Sequence, residues 1–95
     1  MTDNTKTRVG KEFYDKYFYF YNDLEINGGE IVIIGEEFSF GRNIKISVEI
    51  NNEIIYEFIA RPDEEFLESA ASEAVNVTFF YFKEKEKLSK YFTQY

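Results

Sequence analysis

The sequence predicts a two-layer α+β fold: two helices against one face of a three-stranded antiparallel sheet, in the order α-β-β-β-α. Three observations predict it. Val9, Phe13, Tyr17, Phe20 and Leu24 recur at spacings of four, four, three and four, one apolar stripe of a helix. Ile44, Ile46, Val48 and Ile50 alternate with Lys45, Ser47 and Glu49, the period of a half-buried strand. Phe66, Leu67, Ala70, Ala71, Ala74, Val75, Thr78 and Phe82 return to three- and four-residue spacings. A chain of 95 residues makes one domain, residues 1–95, with a single modest core.

In chain order, Met1 to Lys6 is polar and is expected to be disordered. The first helix is expected from Thr7 to Asn22, with Tyr14, Phe18 and Tyr21 as a second stripe. Gly10 costs this helix about 1 kcal/mol against Ala, which marks close packing or a backbone need. Tyr17 to Tyr21 is five consecutive aromatic residues and also suits a strand. The periodicity before it selects helix. Asn27-Gly28-Gly29 signals a turn. Ile31 to Ile34 reads as a strand apolar on both faces. Gly35 to Gly41 reads as a loop or bulged corner carrying Glu36-Glu37 and the rings of Phe38 and Phe40.

Arg42 to Ile59 is a hairpin about Asn51-Asn52, residues that tolerate positive φ. Its register has two solutions. With a simple two-residue turn, Val48 shares the core face with Ile55, and Ile44 with Ile59. Ile54, Tyr56 and Phe58 then form a surplus apolar face beside Glu49, Ser47 and Lys45. A bulge shifts the register by one and buries Tyr56 and Phe58 with Ile46 and Val48 instead. Beyond the hairpin, Pro62 suits the first turn of the second helix, with Asp63-Glu64-Glu65 at the positive end of its dipole. Thr78 to Phe82 is locally strand-like, but no turn signal separates it from the helix. Lys83-Glu84-Lys85-Glu86-Lys87 reads as the solvated C-terminal end, and the rings of Tyr91 to Tyr95 either fold back or project.

Composition removes several function classes. The chain has no Cys, His or Trp, so disulfides, thiolate or imidazole metal sites and Ser-His catalysis are absent. The net charge of −7 disfavours nucleic acid and anionic membranes as partners. No apolar run reaches the ~20 residues of a membrane span, and no signal peptide is visible at the polar start. Glu36-Glu37 and Asp63-Glu64-Glu65 lack calcium-loop spacing and read as solvated loop and helix-start residues. Ser39, Ser47, Ser69 and Ser72 have no His partner. No cofactor is implied, and the chain reads as a non-enzymatic protein-binding module. Eight Tyr and eleven Phe exceed what a core this small holds, which points to interface use of some rings.

The order of residues resembles a known family. Thr2-Asp3-x-Thr5-x-Thr7-x-x-Gly10-x-Glu12-Phe13-Tyr14 is similar to the opening motif of the curli assembly and transport accessory proteins, the CsgE family. Tyr21 falls where that family often carries Trp. Ile33 to Arg42 is similar to a corner of that family that carries a Pro-Ser pair and ends in Gly-Arg, with Phe38 in place of the Pro. Ile44-x-Ile46-x-Val48-x-Ile50-Asn51-Asn52, Ile55-Tyr56, Pro62 and Ala71 to Val75 match later landmarks. The resemblance implies a periplasmic, non-catalytic accessory factor whose signal peptide has been removed. It implies a ring-like homo-oligomer that caps the outer-membrane curli secretion channel, recruits the unfolded curli major subunit and restrains its premature amyloid assembly. The expected protein-binding residues are Tyr21, Phe38, Phe40, Arg42, Ile54, Tyr56 and Phe58. The alternative is a stand-alone interaction domain of the same architecture with no link to curli.

Overall fold

The computed structural model describes residues 1–24 and 29–93, with side chains of the last helix described as far as Glu86. The elements are β1 (Thr2–Asp3), α1 (Arg8–Asp23), β2 (Val32–Phe38), β3 (Ile44–Ile50), β4 (Glu53–Ala60) and α2 (Glu64–Thr93). The fold is α+β, as expected. The sheet has four strands in the order β1-β2-β3-β4, and β1 lies parallel to β2, so it is mixed, not three-stranded and antiparallel. The missed strand is the start of the chain. Thr2 and Asp3 pair with Ile33 and Ile34, and the Asn4 N–H donates to the Ile34 carbonyl at 2.9 Å. Thr5 is buried. Polarity suggested fraying of residues 1–6, but backbone pairing does not depend on apolar side chains.

The opening motif is a buckle between chain start, α1 and β2. Thr7 caps α1, its hydroxyl accepting from the Gly10 N–H at 3.0 Å. The Glu36 carboxylate accepts from the N–H groups of Lys6 (3.2 Å) and Thr7 (3.1 Å) and from the Thr7 hydroxyl (2.7 Å). Asp3 accepts from the Thr5 N–H and hydroxyl and pairs with Lys11 at 2.9 Å. Partial burial pushes the Asp3 carboxyl up, but these donors outweigh it and hold it below the ordinary 3.8. A Cβ on Gly10 would lie 2.0 Å from Glu36 Oε1 and 2.9 Å from Thr5 Cβ. Gly10 is thus the residue that lets the carboxylate reach the helix start.

The helices cover one sheet face. Phe13 and Tyr17 of α1 and Leu67, Ala70, Ala71, Ala74 and Val75 of α2 pack on Val32, Ile34, Ile46, Val48 and Ile50. The small residues at 70, 71 and 74 let α2 lie close to this core. Tyr17–Tyr21 and Thr78–Phe82 are helical, so periodicity outweighs their local strand propensity. Asp63 caps α2 by accepting from the Glu65 and Phe66 N–H groups, which leaves Pro62 outside the first turn. The helix continues to Thr93, so Lys83 to Lys87 is not its end. Lys83 pairs with Glu86 (3.9 Å) and lies 5.5 Å from the Phe79 ring, and Lys85 lies 5.3 Å from the Tyr81 ring. β2 runs through to Phe38, which shortens the expected corner at Gly35–Gly41 to residues 39–43. Of the expected turn Asn27-Gly28-Gly29, only Gly29 lies within the described residues; the Tyr91–Tyr95 side chains lie outside them.

The hairpin combines both registers. Asn51 and Asn52 have φ of 55° and 62°, the mark of a two-residue type I′ turn, and Ile50 pairs with Glu53. One step on, the register shifts: Glu49 pairs with Ile54 but Val48 with Tyr56, so Ile55 is the extra residue of a β-bulge. The physical reason is Glu57. Without the bulge, Glu57 would oppose Ile46 and enter the core with Ile55 and Ile59, and an unpaired buried carboxylate is costly. With it, Glu57 opposes Ser47 on the open face and pairs with Lys45 at 3.6 Å. Phe58 turns inward, 5.0 Å from the Phe13 ring and 6.0 Å from Phe66.

Two tests follow from these contacts. Gly10→Ala gains helix propensity but must displace Glu36, so urea unfolding is expected to show a net loss of about 1–3 kcal/mol; an unchanged or raised stability contradicts the buckle. The Tyr17 hydroxyl donates to Thr78 Oγ1 (2.7 Å), which donates onward to the Ala74 carbonyl (2.9 Å). Burial raises the phenol well above its ordinary 10.0. Its contribution is therefore present below pH 10.0 and lost as pH rises towards the folded value. Tyr17→Phe is expected to cost about 1 kcal/mol at neutral pH and to flatten the alkaline fall in stability, as read from melts across that pH range.

Candidate functional site

The seven residues expected to bind protein are not brought together. Phe38, Phe40 and Arg42 stand at the β2–β3 hairpin tip. Ile54 lies on the open sheet face, Tyr56 and Phe58 lie under the helices, and Tyr21 lies at the end of α1.

The tip is the most exposed apolar feature. Residues 39–43 close it: the Ser39 N–H donates to the Asn43 carbonyl at 2.8 Å, and Gly41 takes φ +69°, where an L side chain is strained. Phe38 shares a face with Val32, Ile34 and Glu36 by strand alternation, yet it is 73% exposed because the helices do not cover the hairpin's end. Phe40 is 93% exposed, and Arg42 is exposed beside it. Two solvated rings and a guanidinium within five residues are the side-chain types that anchor protein interfaces.

The open sheet face pairs Ile33, Glu49 and Ile54 in one row and Glu37, Lys45 and Ile59 in another. Lys45 bridges Glu37 (2.8 Å) and Glu57 (3.6 Å), and the Glu37 carboxylate holds its ammonium above the ordinary value. Ile54 is about half exposed, and Ile31 more so. This face alternates apolar and charged side chains, as a solvated antiparallel face does.

Tyr56 and Phe58 correct the simple-turn reading: they belong to the half-buried margin of the core, not to a surplus face. Burial raises the Tyr56 phenol, and the neighbouring Glu73 carboxylate adds to the rise. Tyr21 is also half-buried, 6.0 Å from the Tyr17 ring, and burial raises its phenol. Sequence reasoning treated Glu36 as a solvated loop residue, although it organises the helix start. Its signal was Gly10, a costly residue inside a helix. A second surface was also missed. α1 and α2 meet along an outward-facing seam whose grooves are lined by Asp15, Lys16, Tyr19 and Phe20 of α1 and Glu65, Glu68 and Glu73 of α2. Among the described residues no acidic cluster is disposed to hold a metal ion, and no helix is long and apolar enough to cross a membrane.

These features define a small α+β protein that presents exposed rings on a hairpin and an acidic seam between two helices. The family model of the curli assembly protein CsgE matches residues 1–94, nearly the whole chain, and the protein belongs to that family. Its role is therefore that of an accessory in curli assembly. No curated protein and no solved structure matches the chain.

The geometry separates surface from core at the hairpin. Tyr56→Glu is expected to destabilise the fold by about 2–3 kcal/mol in chemical unfolding, whereas Ile54→Glu stays within about 0.5 kcal/mol. Equal effects contradict the bulged register.

Proposed function

We propose that this chain is a non-catalytic periplasmic accessory factor of curli secretion. As a ring-like homo-oligomer it caps the outer-membrane secretion channel, recruits the unfolded curli major subunit and restrains its premature amyloid assembly. The observation that carries this reading is the family match over residues 1–94, on a chain whose motif residues form a connected framework. The exposed Phe38 supports it, because a binder of unfolded chain needs apolar anchors that cost little to desolvate. The acidic surface supports it as well, keeping a ring-rich protein dispersed while it holds an aggregation-prone client.

The test is fibril growth of the cognate curli subunit followed by thioflavin fluorescence. Substoichiometric protein is expected to lengthen the lag. Phe38→Ser is expected to shorten that delay without altering the far-ultraviolet circular dichroism. An unchanged lag at equimolar wild-type protein overturns the reading.

A further inference from the structure

The groove along the α1–α2 seam and the hairpin tip have complementary chemistry. Two adjoining open depressions that share Phe20 and Glu68 make up the groove: one of about 820 Å³ reaches Glu65, the other of about 320 Å³ reaches Asp15, Lys16 and Tyr19. Tyr19 is 67% exposed. Asp15, Glu65 and Glu68 line the walls, and none of the three has an ion-pair partner among the described residues. Lys16, the cation lining this stretch, is already held by Glu64 at 3.6 Å. The exposed Tyr19 ring and the half-buried Phe20, beside carboxylates with no ion-pair partner among the described residues, suit an occupant that brings a cation and an apolar group together, the cation at the acids and the apolar group on the rings.

Among the described residues, the hairpin tip carries such a group. Among the described residues, each Lys or Arg other than Lys6 and Arg42 is engaged within the chain by a carboxylate, an amide or a ring. Arg8, Lys11, Lys16, Lys45 and Lys83 meet carboxylates; Arg61 lies 4.1 Å from the Phe66 ring; Lys85 lies against Tyr81 and Asn51. Arg42 has no partner among the described residues and stands two residues from the 93%-exposed Phe40. The tip projects from the end of the sheet, whereas the groove opens on the outer side of the helix layer.

We infer that the Phe40–Arg42 tip of one copy docks into the Asp15–Glu65–Glu68 groove of the next. The inference rests on the proposed ring and names the surfaces that build it. The contact joins two different patches, so it is heterologous: repeated, it closes into a ring or extends into a filament, and it does not stop at a two-fold dimer. The matching charges explain how chains of net charge −7 associate at all: the local pairing of Arg42 with carboxylates outweighs the mean repulsion within a Debye length.

Light scattering coupled to gel filtration tests it on the intact chain at low salt. Wild type is expected to assemble beyond a dimer. Arg42→Glu and, separately, Glu65→Lys with Glu68→Lys are expected to weaken assembly by about tenfold or more in dissociation constant, towards the 11.3 kDa monomer. Combining all three substitutions in one chain reverses both charges and is expected to restore the wild-type mass. Glu84→Lys with Glu86→Lys changes net charge as much as the groove variant but lies outside the groove, and it is expected to leave assembly intact. The inference is overturned by a monomeric wild type, by failed restoration in the triple variant, or by equal loss in the Glu84/Glu86 control. Assembly with an unchanged thioflavin lag sinks the curli reading and leaves the docking contact standing.

Discussion

The return strand of the hairpin, β4, meets two demands that a regular ladder cannot satisfy together. The Asn51-Asn52 turn imposes Ile50 opposite Glu53. Continued without interruption, that register drives Glu57 into the core and Phe58 into water. One extra residue, Ile55, reconciles them. The cluster beneath the sheet depends on this shift: Phe58 joins Phe13 and Phe66 only because the bulge has turned it inward. The open face depends on it too, since Glu57 there meets Lys45.

The opposite edge of the sheet is governed by Glu36. Its carboxylate reaches across from β2 to gather the N–H groups of Lys6 and Thr7, and Gly10 gives it room. This contact gives the family-like opening motif a structural meaning. Thr5, Thr7 and Gly10 are spaced to pin the chain start to the sheet and to begin α1.

With the framework secured at both edges, the hairpin tip and the helix seam are among the described features free to engage other molecules. The aromatic surplus is divided accordingly. Phe13 and Tyr17 form the core; Tyr21, Tyr56 and Phe58 rim it; Phe38, Phe40, Tyr19 and Phe80 are left in water. This distribution fits an accessory in curli assembly better than a protein built around a pocket.

Local pattern was enough to read the two helices, the alternation of β3, the turn at Asn51-Asn52 and the exposed rings of the tip, because each is encoded within a few neighbouring residues. It was also enough for the family resemblance, whose landmarks are linear. The facing of Tyr56 and Phe58, the pairing of β1 and the task of Glu36 emerged only on folding. Each depends on contacts between residues distant in the chain, Thr2 with Ile33, Thr7 with Glu36 and Phe58 with Phe13. The cost of burying Glu57 is likewise set by the helices above it, not by its neighbours in β4. Both registers were compatible with the hairpin's own residues, and the helix layer selected between them.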